Sequence, residues 1–117
     1  MTPDAVRAAY RDMLALVGEP VVIRRYTGAG ADRPRFDADA PARVVEYAPD
    51  ELVGGIQQGD RKLILLADDL IARQFPVPPR RGDKAVVRGN ELNIEAVDDN
   101  SRRVAGVLIA YEIQVRG

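Results

Sequence analysis

Residues 27–42, TGAGADRPRFDADAPA, gather three kinds of possible chemistry in one short stretch. Gly28 and Gly30 have the spacing of a phosphate-cradling loop, Asp37 and Asp39 that of paired oxygen ligands for a cation, and Arg33, Arg35 and Phe36 the composition of a protein-binding anchor. The first two fail on what surrounds them. A phosphate loop needs a strand before the glycines and a helix after them, so that the amides of the helix N-terminus meet the anion. Here the third glycine and the Gly-Lys-Ser/Thr are missing, and Pro34 and Pro41 exclude the helix. A calcium loop beginning at Asp37 requires an oxygen ligand at position 41, glycine at 42 and glutamate at 48, where the chain has Pro41, Ala42 and Ala48. The anchor reading survives. Residues 28–42 contain two glycines, two prolines, five alanines and five charges around a single aromatic, too little apolar surface to offset the entropy of ordering them. We therefore expect a flexible loop over 27–42 that folds on a partner, with Phe36 as anchor and Arg33 and Arg35 meeting acidic neighbours.

Elsewhere the chain offers little for catalysis. It has no cysteine and no histidine, which removes thiol and imidazole chemistry and the usual zinc and iron ligands. Carboxylates, Lys62, Lys84, Ser101 and four tyrosines remain, and no pair of them stands in a recognisable motif. The reading is a protein with no catalytic residue, no metal and no cofactor. With 17 basic and 18 acidic residues its net charge is −1, so it lacks a general attraction to nucleic acid or to an anionic membrane. There is no run of about 18 apolar residues, and Met1-Thr2-Pro3-Asp4 has neither the basic nor the apolar region of a signal peptide. Synthesis in the cytoplasm is the expectation.

The elements that would position these groups follow from periodicity. Thr2, Pro3 and Asp4 read as N-cap, first helical residue and first-turn acid. Val6, Tyr10, Met13, Leu14 and Val17 then form one apolar stripe, with Arg7, Arg11 and Asp12 facing away, and Gly18 and Pro20 end the helix, which we place at 3–17. After Pro20 the period becomes two. Residues 21–26, 43–47, 52–57, 61–67, 84–88, 91–97 and 104–116 are bounded by Gly, Pro, Asp and Asn as strands are. Gly89 and Asn90 read as a two-residue hairpin turn and Asp98 to Asn100 as a looser one, giving an antiparallel meander over 84–116. RKLILLA is apolar throughout, as in a strand covered on both faces, and Asp68-Asp69-Leu70 can start one helical turn. The fold class is mainly β: a single domain over 1–117, a small antiparallel barrel or sandwich of about six or seven strands with one N-terminal helix and a long disordered loop.

Two phrases then carry a resemblance: QQGDRKLILLADDL, and RRGDKAVVRGNELNIEAVDDNSRRVAGVLIAYEIQVRG. A Gly-Asp pair leads an apolar strand, a second Gly-Asp pair opens a hairpin, and a last strand ends in Gln-Val-Arg. Over roughly residues 55–117 this resembles the small head-tail joining proteins of tailed phages, the head-completion or tail-attachment family. The resemblance implies a non-catalytic virion protein that is monomeric when free. It would assemble as a ring, commonly a hexamer, between the portal or adaptor complex and the tail, and reside at the head-tail junction after cytoplasmic synthesis in the bacterial host. Gly59, Asp60, Gly82 and Asp83 match the motif residues, with turn geometry as their expected role. Arg116 matches the terminal arginine and is carried as a partner-binding candidate beside Arg33, Arg35 and Phe36. The implied partners are portal, adaptor and tail proteins and copies of the chain, with no membrane and no sequence-specific nucleic acid. The alternative from another class is a small nucleic-acid-binding barrel of the OB type, for which Arg80, Arg81 and Lys84 supply a basic patch but few aromatics supply stacking.

Overall fold

The helix begins where its cap was expected. In the computed structural model, which describes residues 1–117, the Thr2 Oγ1 accepts the Ala5 N–H at 3.1 Å and α1 runs Pro3–Val17. Gly18 closes it by donating its N–H to the Leu14 carbonyl at 2.9 Å. Leu14 is buried with Leu66 and Ile109, and Val6, Tyr10 and Met13 pack against them. Full burial of one such leucine contributes about 2 kcal/mol, enough to hold the helix against the barrel wall. The polar side of α1 is not simply solvated: Arg7 pairs with Asp68 at 3.0 Å and Arg11 with Asp69 at 3.1 Å, both in the short α2, Ala67–Ala72.

Six strands close into an antiparallel barrel. They are β1 (Glu19–Tyr26), β2 (Arg35–Glu46), β3 (Arg61–Leu66), β4 (Lys84–Val87), β5 (Asn90–Asp98) and, after a two-stranded outlier of β6 (Arg103–Val104) and β7 (Val107–Leu108), β8 (Ala110–Arg116). Their order around the barrel is β1-β2-β3-β8-β5-β4. Closure resolves the choice between barrel and sandwich, and β4, β5 and β8 form the expected meander. Inward positions such as Ile23, Leu63, Val87, Ile94 and Ile113 are fully buried. β3 is covered on both faces, as RKLILLA suggested: Leu63 and Leu65 point inward, and Ile64 and Leu66 lie under other elements.

Four local expectations are corrected. The loop expected over 27–42 is a loop only over 27–34, closed by the Thr27 N–H donating to the Pro34 carbonyl at 2.9 Å; residues 35–42 are the first part of β2, paired with β1 from Tyr26↔Arg35 to Glu19↔Ala42. Alanine makes this possible, since Ala38, Ala40 and Ala42 are the inward residues and Asp37, Asp39 and Pro41 the outward ones. Pro41 is tolerated because it faces Pro20 and lies just outside the stretch paired with β3, which begins at Ala42. Residues 52–57 are not a strand: after a single 3-10 turn at Pro49–Glu51 they form turns, with Gly54 at φ +60°. The hairpin turn sits one residue earlier than expected, at Arg88 (φ 51°) and Gly89 (φ 80°), because Asn90 already pairs with Val87 in the ladder. The long strand expected over 104–116 is interrupted by a tight turn at Ala105 (φ 50°) and Gly106 (φ 80°), which leaves Val107 exposed.

β2 gives the barrel its stagger. Its first part pairs with β1 and its second, from Ala42, with β3. A path across the strands that leaves β2 at Asp37 crosses Arg24, Lys84, Asn93 and Arg116 and returns just beyond Glu46, a shear of about ten residues. The two ends of β2 therefore lie at opposite mouths of the barrel.

Candidate functional site

The two Gly-Asp phrases build the same corner twice. In Gln57-Gln58-Gly59-Asp60 the Asp60 N–H donates to the Gln57 carbonyl at 3.0 Å, and in Arg80-Arg81-Gly82-Asp83 the Asp83 N–H donates to the Arg80 carbonyl at 3.0 Å. Gly59 has φ +94° and Gly82 φ +96°, the left-handed value that the third residue of a type II turn requires and that glycine takes without strain. Each aspartate then folds back on its own turn: Oδ2 of Asp60 accepts the Gln57 N–H, and Oδ2 of Asp83 the Arg80 N–H, both at 2.9 Å. Both aspartates are 3% exposed. Such a buried carboxylate needs a cation, and in each corner an arginine at the end of the adjacent strand supplies it.

At the first corner Arg116, the last residue of β8, donates from Nε and Nη2 to Asp60 at 2.9 Å each. Gln114 adds its amide to Asp60 Oδ2 at 2.9 Å, and both side chains also donate to the Gly55 carbonyl. Arg116 further pairs with Glu95. The Arg116 guanidinium, helped by the Gln57 and Gln114 hydrogen bonds, holds the Asp60 carboxyl down at about 2. The loop between β2 and β3 is thereby clamped on the outer wall of β3 and β8. Its other fastening is Lys62, which bridges Glu51 at 2.9 Å and Glu112 at 3.0 Å beneath the Tyr47 ring.

At the second corner Arg25 donates from Nε and Nη2 to Asp83 at 2.8 Å each, and to the carbonyls of Pro76 and Pro78 at 3.0 and 3.1 Å. Arg25 shares the inward parity of Val21 and Ile23, so this pair closes the mouth of the barrel rather than its wall. Its guanidinium lies 5.1 Å from the centre of the buried Phe75 ring, and Asp83 raises its pKa. Phe36 meets the same Phe75 edge-on, with ring centres 5.9 Å apart.

The expected partner-binding residues thus separate. Arg33, Arg35 and Phe36 stay together at the second mouth: Arg33 stacks 4.0 Å over the Tyr26 ring, Arg35 is 53% exposed and reaches Asp37 only at 3.4 Å, and Phe36 is 38% exposed. Arg116 belongs instead to the first corner. Gly59, Asp60, Gly82 and Asp83 are the turn residues expected of them, Gly89 is a turn residue, and Asn90 is a strand residue. Asp37, one of the two carboxylates that suggested a cation site, is gripped by Arg24 at 2.8 and 3.1 Å, which lowers its pKa. Nowhere do three or more His, Cys, Asp or Glu side chains converge as a metal site would need. A groove of about 660 Å³ beside Pro20, Val22, Pro41 and Val86 holds neither corner aspartate. Sequence reasoning missed Arg25 and Phe75, and the one available signal was a charged residue continuing the buried parity of β1.

Fold and site together define a small closed antiparallel barrel whose strand ends are locked by two buried arginine–aspartate corners. No protein-family model matches the chain, and no curated protein matches it.

Proposed function

We propose that this protein is a non-catalytic structural subunit of a tailed-phage or prophage particle that joins head to tail, assembling in copies between portal or adaptor and tail. The observation that carries the reading is the double corner. The residues of the resemblance, Gly59-Asp60, Gly82-Asp83 and the arginine of the terminal Gln-Val-Arg, are spent on one repeated structural device, with both carboxylates consumed by arginines. Residues used in this way serve a rigid assembly unit better than a reaction. A clamped loop on one wall and an arginine-rich mouth on the other offer two distinct surfaces for neighbours in a stack.

The test is to delete the gene in the genome that encodes it and examine the particles by electron microscopy. Filled heads and free tails that fail to join, with joining restored by the gene in trans, are expected; normal tailed particles overturn the reading. The nucleic-acid alternative draws on Arg33, Arg80 and Arg81 and on the Tyr26 ring, and predicts oligonucleotide binding that weakens steeply with salt.

A further inference from the structure

We propose that copies of this chain join head to tail, the arginine-ringed Phe36 patch of one copy seating the acidic loop 46–53 of the next; this rests on the assembly reading above. The patch has the make-up of a binding hot spot. Phe36 and Val77 are exposed apolar residues, at 38% and 41%, on the two segments that flank Phe75 and Arg25. Arg33 and Arg35 neighbour Phe36 in sequence, with Arg33 over the Tyr26 ring, and the exposed Arg80 and Arg81 follow Val77 at the Asp83 corner. No carboxylate pairs with Arg33, Arg80 or Arg81, and Arg35 has only a 3.4 Å contact with Asp37. Asp32 and Asp39 are the unengaged acids near them in sequence, two carboxylates against four arginines.

The complementary surface is on the same chain. Glu46 and Asp50 are exposed and make no ion pair, Glu51 beside them is anchored to Lys62, and Val53 is 66% exposed. This segment is acidic with an apolar tip, and Arg61, opposite Glu46 in the ladder, offsets only part of its charge. The loop is also rigidly presented, since the Asp60 corner and Lys62 both fasten it.

The two surfaces cannot meet within one molecule. Phe36 is at the start of β2 and Glu46 at its end, up to roughly 35 Å apart along the strand. The β1–β4 side carries the patch, and the β3–β8 side, across the barrel, carries the loop. Complementary patches on opposite sides make a heterologous contact, which propagates from copy to copy instead of ending at a dimer. Electrostatic attraction between them selects the partner and makes the contact sensitive to salt.

The absence of native cysteine permits a direct test. Arg35→Cys and Asp50→Cys variants are prepared separately, mixed at low salt and treated with a short bis-maleimide cross-linker, alongside sedimentation of the wild-type chain. The expected result is a mixed dimer in about tenfold excess over either homodimer, falling as salt is added, and a ladder when both cysteines are in one chain. Homodimers of either variant in equal yield overturn the proposal, as does the lack of any mixed product. If the wild type self-associates without a mixed product, this interface is wrong and the assembly reading stands. If the mixed dimer forms but particles join normally without the gene, the interface stands and the virion reading falls. Loss of the mixed product on adding a single-stranded oligonucleotide that binds the patch at low salt assigns the arginines to phosphate and overturns it too.

Discussion

The Asp60 and Asp83 corners have the same turn, the same glycine conformation, the same return hydrogen bond and the same two-pronged arginine, yet they face different surroundings. Arg25 side-chain exposure is 11% and that of Arg116 is 33%. The second corner is built into the barrel mouth against Phe75, and the first lies on the outer wall where Arg116 has Glu95 and solvent as alternatives. Identical local geometry is therefore worth different amounts, because what a missing partner leaves behind depends on the water within reach.

Replacing the aspartates is the strongest way to break the comparison. Asp83→Ala strands a nearly buried guanidinium and should cost about 3–5 kcal/mol in urea or thermal unfolding, whereas Asp60→Ala, whose arginine can turn to Glu95 or water, should cost about 2 kcal/mol. Equal losses would mean that the surroundings do not matter. Acid titration sharpens the first corner alone. Asp60 is held below its ordinary 3.8, at about 2, so its contribution is complete above about pH 4 and is lost as pH falls towards 2. Between those limits the wild type should lose about 2 kcal/mol that an Asp60→Asn variant has already lost, measured as unfolding free energy against pH. The smallest effect should be the same at both corners. An added Cβ meets nothing within 4 Å at Gly59 or Gly82, so Gly59→Ala and Gly82→Ala should each cost only the strain of a positive φ, about 1 kcal/mol.

Much of the scaffold was legible before the structure. The Thr2-Pro3-Asp4 cap, the helix stripe as far as Leu14 (Val17, expected in it, is exposed), the period-two runs of β1, β4 and β5 and the continuous apolar run of β3 carry strong local signals, and each becomes the element they indicate. The misreading of residues 35–42 arises because tertiary pairing outweighs local propensity. Alanine and aspartate in residues 37–40 look like loop, but a narrow barrel needs small inward residues there and β1 supplies the ladder. Leu52, Val53 and Ile56 look like strand, but Gly54 and Gly55 turn the chain, and Gly55 uses its carbonyl to receive Gln114 and Arg116. At the candidate site the turn glycines and aspartates were visible as phrases. Their arginine partners were not, because Arg25 and Arg116 lie 58 and 56 residues away and meet them only when the barrel closes.

The position of β8 between β3 and β5 has a consequence for how the chain acquires its shape. The last barrel strand in chain order is thus an interior stave, so a folding intermediate in which residues 110–116 have not yet paired carries two unpaired edges, one on each side of the gap. Open edges of that kind pair readily with other chains. The same seven residues complete the hydrogen-bonded ring and deliver Arg116 to Asp60, so the protection of those edges and the fastening of the 47–60 loop come in one step.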